Sequence, residues 1–309
     1  MPLPQFLVSK ASVASSSFDA IPVIDFSNLY STDSAERRAL ADKILDACVN
    51  VGFFYLKDPP GLPASLPYDI IEKHAKRFFA LPQAEKDAID IHKSWEDGKY
   101  ESDAGEMAGT NVWPNENMVP GFREGILEYY HAVVQLGLAL FPLFALALDL
   151  PENFFDDKTT RPAAIMRILH YPPQPEPVDG ILGIGRHTDY ECFTLLYQHP
   201  PVRALQVQNT DGVWIDADPM DGAFVVNIGD QLARWTNDVF KSTPHRARNL
   251  SGQERYSMPL FFGTDYDVLL ETIPTCLAPG EKPKYPIVTA GEYVKSRLAE
   301  TYQHSRTDS

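Results

Sequence analysis

The sequence is poor in cysteine. Cys48, Cys192 and Cys276 are the only three in 309 residues, too few and too scattered for a disulfide framework, so a reducing, cytoplasmic setting is expected. It also lacks a basic surplus: 27 Lys and Arg stand against 42 Asp and Glu, a net charge of −15. Nucleic acid and anionic membrane surfaces both call for a basic face, so neither is expected as a partner. The first 18 residues, MPLPQFLVSKASVASSSF, have no long apolar core behind a basic start. They read as a mobile Ser-rich arm and not as a signal peptide. No His-Glu-x-x-His, no Gly-rich phosphate loop and no nucleophile elbow is present. Gly180-Ile-Leu-Gly-Ile-Gly185 has the wrong spacing for a dinucleotide site.

One long apolar run is present. Tyr129 to Leu148 contains no Asp, Glu, Lys or Arg and is long enough to span a bilayer. His131, Gln135, Gly137 and Pro142 interrupt it, and Glu128 and Asp149 bound it. It reads as the buried core helix of a large domain. Upstream, Ile21-Pro-Val-Ile-Asp-Phe26 is β-branched and alternating, and predicts a strand. A helix follows over 34–49, capped by Asp33 or Ser34 and closed by Gly52, then a strand over 52–56 and a helix over 68–79. Residues 92–122 are polar and aperiodic, and predict a long functional or mobile loop. From Ala163 onward, short β-branched and aromatic runs alternate with turn residues, at 163–171, 181–186, 192–197, 204–208, 213–215, 223–227, 243–248, 255–262 and 267–269. Helices early and strands late predict an α+β fold whose chemistry sits in a β-barrel or sandwich.

The chemistry is carried by His187-Thr188-Asp189, then His245, then Arg255-Tyr256-Ser257. His-x-Asp alone is a weak signal. In a strand, however, positions i and i+2 share a face, so His187 and Asp189 point together and Thr188 points away. His245 lies on a separate predicted strand. Two imidazoles and a carboxylate cover one face of an octahedral Fe(II) and leave the other open, whereas a zinc site of three ligands is the main rival. Strand parity also puts Arg255, Ser257, Pro259, Phe261 and Gly263 on one face. If that face looks inward, Arg255 and Ser257 can hold a carboxylate by charge-assisted hydrogen bonds. Parity on 165–171 groups Ile165, Arg167, Leu169 and Tyr171. Iron, an acidic co-substrate and O2 at one site make oxidation of an organic substrate the leading reading.

At this point the residues resemble the isopenicillin N synthase-like, Fe(II)/2-oxoglutarate-dependent dioxygenases over nearly the whole chain. Ile21-Pro-Val-Ile-Asp-Phe26, Gly52-Phe-Phe-Tyr55 and Phe78-Phe-Ala-Leu-Pro82 are similar to the family's N-terminal signatures. Tyr171-Pro-Pro173, His187-Thr-Asp189, Asn227-Ile-Gly-Asp230, Ser242-Thr-Pro-His-Arg246 and Arg255-Tyr-Ser257 follow in the family's order. The resemblance implies a double-stranded β-helix (jelly-roll) core wrapped by helices. It implies an arm over 1–18, an N-terminal α/β region over 19–122 and a jelly-roll dioxygenase domain with its core helix over 123–309. It further implies that His187, Asp189 and His245 bind Fe(II), and that Arg255 and Ser257 hold the distal carboxylate of 2-oxoglutarate, with Tyr171 placing it. The reaction would consume O2 and release succinate and CO2. Arg167, Tyr190 and Phe261 are the expected contacts to a small-molecule substrate in a monomer or weak homodimer. Two alternatives remain: a 2-oxoglutarate-independent Fe(II) oxidase or cyclase, and a non-catalytic binder on the same fold.

Overall fold

The computed structural model describes Leu7 and residues 17–90, 111–173 and 183–307. Most of the expected arm over 1–18, residues 92–110 of the expected loop and residues 181–182 of an expected strand lie outside the described residues. The chain forms two compact units: one comprises Met1–Leu62 with Val133–Ser309, the other Pro63–Ala132.

In the first unit β1 (Val23–Asp25) leads to α1 (Ser34–Asn50) and β2 (Phe53–Lys57). Asp33 caps α1, its Oδ1 accepting from Ala35 N–H at 2.7 Å. Gly52 ends the turn at φ +74°. A side chain there would also overlap the Lys241 carbonyl, so this position admits only glycine. The second unit holds α2 (Ser65–Ile70), a π-helical turn at Ile71–Ala75, α3 (Lys76–Phe79) and α4 (Gln83–Asp87). The helix expected over 68–79 is thus present with one widened turn. Phe78, His74 and Trp113 surround Phe122 at ring-centroid distances of 5.4, 6.4 and 6.4 Å.

The long apolar run forms α5 (Phe122–Ala147). Its length and composition would let it cross a membrane, but its second half carries Val133, Leu136, Leu140, Phe141 and Phe144, all buried. Beyond it come β3 (Ala164–Met166), β4 (Leu169–Tyr171), β5 (Ile184–His187), β6 (Phe193–Gln198), β7 (Leu205–Gln208), β8 (Trp214–Asp216), β9 (Ala223–Ile228), α6 (Asp230–Trp235), β10 (His245–Ala247), β11 (Arg255–Phe262) and α7 (Ala290–Thr307). The run expected as one strand over 163–171 is broken at Arg167, and both halves pair with β11. At 267–269 only an isolated bridge, Leu269 to Thr289, forms.

The strands make two sheets. The larger runs β1-β2-β9-β6-β11-β3, with β4 also on β11; the smaller runs β5-β10-β7-β8. All pairs but β1–β2 are antiparallel. The fold is the α+β jelly roll. Its two layers enclose an apolar cluster of Phe53, Tyr55, Leu196 and Val225 from the larger sheet and Leu205 and Val207 from the smaller. The opposite face of the larger sheet packs on α5, where Phe193 stacks on Phe262 at 5.3 Å and meets Phe141 and Phe144 at 5.3 and 5.2 Å. The parity of β6 and β11 is therefore settled: Phe193 and Phe262 face the helix, while Thr194 and Phe261 face the interior. Phe193→Ala is expected to cost about 3–5 kcal/mol of stability, read from the midpoint and slope of chemical denaturation.

Candidate active site

β5 and β10 pair so that His187 stands directly opposite His245, with ring centroids 4.2 Å apart. β5 ends at His187, so Asp189 lies just past the strand. Its carboxylate nevertheless turns to the same side: Oδ1 is 3.8 Å from Nε2 of both His187 and His245. The three ligand atoms all lie within 4.8 Å of one another, a spacing that could hold a metal ion.

Each imidazole is oriented by its other nitrogen. His187 Nδ1 lies 2.8 Å from the Gly185 carbonyl and His245 Nδ1 lies 3.2 Å from that of Thr243. A carbonyl only accepts, so Nδ1 must carry the proton, and each Nε2 presents its lone pair to the site. Burial holds the His245 pKa below the ordinary histidine value; Asp189 opposes this and His187 adds to it. Asp189 is held by its second oxygen, Oδ2, which accepts from Thr194 Oγ1 at 2.5 Å and Asn227 Nδ2 at 2.7 Å. Oδ1 is left to the site. Such outer partners fix ligand geometry and raise metal affinity.

These partners come from one row across the larger sheet. Ile165 pairs with Phe261, Phe261 with Thr194, Thr194 with Asn227 and Asn227 with Phe53. Residues paired across strands share a face, so Phe261, Thr194, Asn227 and Phe53 stand on one side of the sheet, the side on which Thr194 and Asn227 reach Asp189. Phe53 meets the His245 ring edge-on at 5.2 Å. The loop after Asp189 is held by the start of α6. The N–H groups of Gly229, Asp230 and Gln231 donate to the carbonyls of Cys192, Asp189 and Tyr190 at 2.9, 2.7 and 3.1 Å. A side chain at Gly229 would overlap the Glu191 carbonyl, so this approach depends on glycine.

Along β11, Arg255 is 2% exposed. Its Nη1 reaches Ser257 Oγ at 3.3 Å, its Nη2 reaches Gln198 Oε1 at 3.4 Å, and its Nε has no hydrogen-bond partner among the described residues. The Tyr171 ring centre lies 4.9 Å from the guanidinium carbon. Burial lowers the Arg255 pKa, and Tyr171 opposes that shift. Among the described residues no carboxylate pairs with this cation. A buried arginine is costly without a partner, so the pocket suits an acidic ligand. Gly183 lets β5 pass close over Tyr171, since a Cβ there would stand 2.7 Å from the ring.

The structure therefore brings His187, Asp189 and His245 together, and separately gathers Tyr171, Arg255 and Ser257. Phe261 is half-buried on the interior face. Tyr190 is half-buried with Arg297 over its ring at 5.2 Å. Arg167 is exposed in the break between β3 and β4, its N–H bonded to the Pro259 carbonyl at 3.0 Å. Thr194, Asn227, Gln198 and Phe53 were missed as site residues. The interior parity of β6, which groups Thr194 with Gln198, was the signal that could have found two of them.

The 2OG-Fe(II) oxygenase superfamily matches residues 162–264, and the family described as non-haem dioxygenase in morphine synthesis, N-terminal, matches residues 21–111. A 2-oxoglutarate-Fe(II) type oxidoreductase, hxnY, of Emericella nidulans is 38% identical over 92% of this chain and 90% of its own. The chain belongs to the 2OG-Fe(II) oxygenase superfamily. Homoarginine-6-hydroxylase 2-ODD-233 of Oryza sativa subsp. japonica is 31% identical over 92% of this chain and 98% of its own. Among solved structures, a full-length Neurospora crassa protein in complex with alpha-KG and thymine superposes with a TM-score of 0.82 at 30% identity, covering 94% of this chain and 99% of that one. This oxygenase is a non-haem Fe(II)- and 2-oxoglutarate-dependent dioxygenase, and it acts on a small molecule.

Two residues after Asp189 in this oxygenase comes a second buried carboxyl, Glu191. Glu191 is 5% exposed, and neither of its oxygens has a hydrogen-bond partner among the described residues. It lies against Gly263, where any Cβ would overlap Oε2. Burial pushes its pKa up to about 8 from the usual 4.5. Between those values the unfolded chain gives up the proton and the folded chain keeps it, so stability falls as pH rises through that window. Glu191→Gln removes this dependence. The Tm gain of the variant over the parent, measured on chelator-treated protein, is expected to be larger near pH 8.5 than near pH 5, each pKa unit being worth roughly 1.4 kcal/mol. An equal difference at both pH values would show that Glu191 titrates normally.

Proposed function

We propose that the chain hydroxylates a small polar metabolite at a centre where His187, Asp189 and His245 hold Fe(II) and Arg255, Ser257 and Tyr171 hold 2-oxoglutarate. In balance, a substrate C–H, O2 and 2-oxoglutarate give C–OH, succinate and CO2. The observation that carries this reading is Arg255: a buried guanidinium with no carboxylate partner among the described residues, on the same face of β11 as Phe261, which pairs with the Thr194 that holds Asp189. The donor set fits the metal. Two neutral imidazoles and one carboxylate are the three-ligand set of non-haem Fe(II) oxygenases, and no thiolate lies among them to favour a structural zinc site. Fe(II), when bound there, supplies the activation of O2 that couples decarboxylation of the keto acid to oxidation of the substrate.

The chain's own residues supply position. Thr194 and Asn227 hold Asp189 Oδ2, so Oδ1 stays aimed at the centre. Gly185 and Thr243 fix both imidazoles in the ligating tautomer. Gln198 donates Nε2–H to the Ala217 carbonyl at 2.8 Å, which turns its Oε1 toward Arg255. The guanidinium, the Ser257 hydroxyl and the Tyr171 ring then form one end of a slot for a dicarboxylate. Phe261, half-buried, and Ile165, paired across β11 and β3, offer an apolar surface for the substrate to cover. Arg167, Tyr190 and Phe261 are the proposed substrate contacts, and they suit an amino acid, a nucleobase or another polar heterocycle. The homoarginine named for the rice relative and the thymine bound to the Neurospora protein both fall in that range. The acidic net charge supports a partner list without nucleic acid or membrane, with the chain a monomer or weak homodimer. Three buried, unbridged cysteines support a cytoplasmic setting.

Succinate release tests the reading against a 2-oxoglutarate-independent oxidase. Release that depends on a metabolite from a library supports it, and substrate oxidation without succinate refutes it. His187→Ala is expected to abolish Fe(II) binding and turnover together. Arg255→Ala is expected to weaken 2-oxoglutarate binding by about 2–5 kcal/mol, as for one side of a buried charge pair. An unchanged dissociation constant for the keto acid in that variant would remove Arg255 from the pocket.

A further inference from the structure

Thr188 stands between two of the proposed metal ligands and turns away from them. Its hydroxyl donates to Asp230 Oδ2 at 3.0 Å. Asp230 opens α6, and its N–H donates to the Asp189 carbonyl at 2.7 Å. The same Oδ2 receives Nη2 of Arg297, on α7, at 3.3 Å. The Arg297 guanidinium also covers Tyr190 at 5.2 Å from the ring centre. One guanidinium therefore touches the residue after Asp189 directly and the residue before it through Asp230. The helix that carries it is well seated. Arg234 of α6 lies 4.8 Å from the Tyr285 ring centre and 5.4 Å from that of Tyr293 on α7, and donates to the Pro286 carbonyl at 2.6 Å. The side chains of Arg297 and Asp230 are 33% and 17% exposed, so the pair is partly withdrawn from solvent.

We propose that Arg297 is a positioning residue for the metal loop. Through Asp230 and Tyr190 it fixes Thr188-Asp189-Tyr190 from outside the jelly roll, and the C-terminal helix thereby sets how tightly the metal is held. This rests on the ligand set proposed above. A loop free to tilt would present Oδ1 of Asp189 to the metal in a range of poses, and the entropy of ordering it would be lost from the binding free energy. A loop already clamped on both sides of the ligand bears that cost during folding.

The full-length chain is titrated with Fe(II) under anaerobic conditions against a chromogenic chelator, with thermal unfolding of the metal-free protein alongside. Arg297→Gln and Asp230→Asn are each expected to weaken Fe(II) binding roughly threefold, and the double variant by no more than the larger single loss. Arg297→Lys, which keeps a cation beside Asp230, recovers part of the affinity. Glu300→Gln removes a carboxylate that Arg297 meets at 2.8 Å on its own helix, and leaves affinity unchanged. The proposal is overturned if Arg297→Gln binds Fe(II) like the parent, if the two single losses multiply in the double variant, if Arg297→Lys is as weak as Arg297→Gln, or if affinity merely follows Tm across the series. A parent chain that binds no Fe(II), or a His187→Ala variant that binds it normally, would refute the ligand set instead.

Discussion

Asp189 divides its two oxygens between two duties, and the rest of the site is arranged around that division. Oδ2 accepts from Thr194 and Asn227, both on interior strands of the larger sheet. Oδ1 faces the two imidazoles that β5 and β10 bring opposite each other. The carboxylate thus joins the two layers of the jelly roll: the larger sheet anchors it and the smaller sheet supplies its companions. Without the two donors a carboxylate so deeply buried would lose hydration with nothing in exchange. With them, its charge is stabilised and its free oxygen is aimed.

The second demand of the site is a cation kept out of water. Arg255 is as buried as the apolar residues around it, and among the described residues the groups within its reach include the Ser257 hydroxyl, the Gln198 amide oxygen and the Tyr171 ring. Each lends partial charge without neutralising it, so the pocket stays electropositive, as the proposed diacid co-substrate requires. Gln198 has no freedom here, because its amide nitrogen is committed to the Ala217 carbonyl. The acidic net charge of the whole protein does not contradict this, since a field shaped by a few buried groups is local.

Strand parity made much of this legible in the sequence. The alternation of β11 placed Arg255 and Ser257 together, and the packing of Phe262 on α5 bears out that phase. The apolar run at 129–148 read as a core helix, because its polar interruptions and its aromatic content suited a protein interior. Other features were not legible. Asp189 does not continue β5, and its convergence with His187 comes from the loop that α6 holds, which is a tertiary contact between residues about forty apart. Thr194 belongs to no motif, and Asn227 opens Asn227-Ile-Gly-Asp230 without that motif saying what its side chain does; the pairing of β6 with β9 puts the two side by side, where both donate to the carboxylate. The break at Arg167 turned a single expected strand into two, and an exposed position there follows from the break and not from the residue type.

β11 carries both the arginine of the proposed co-substrate slot and the phenylalanine of the proposed apolar surface, in one unbroken strand paired on both sides. Six residue steps of extended chain separate them, about 20 Å, and no hinge lies between. The strand acts as a fixed ruler: it cannot shorten or lengthen to suit a different guest. With the anchored end fixed, the side chains at the far end, Phe261 and its neighbour Ile165, are where this strand can change the room left for a guest.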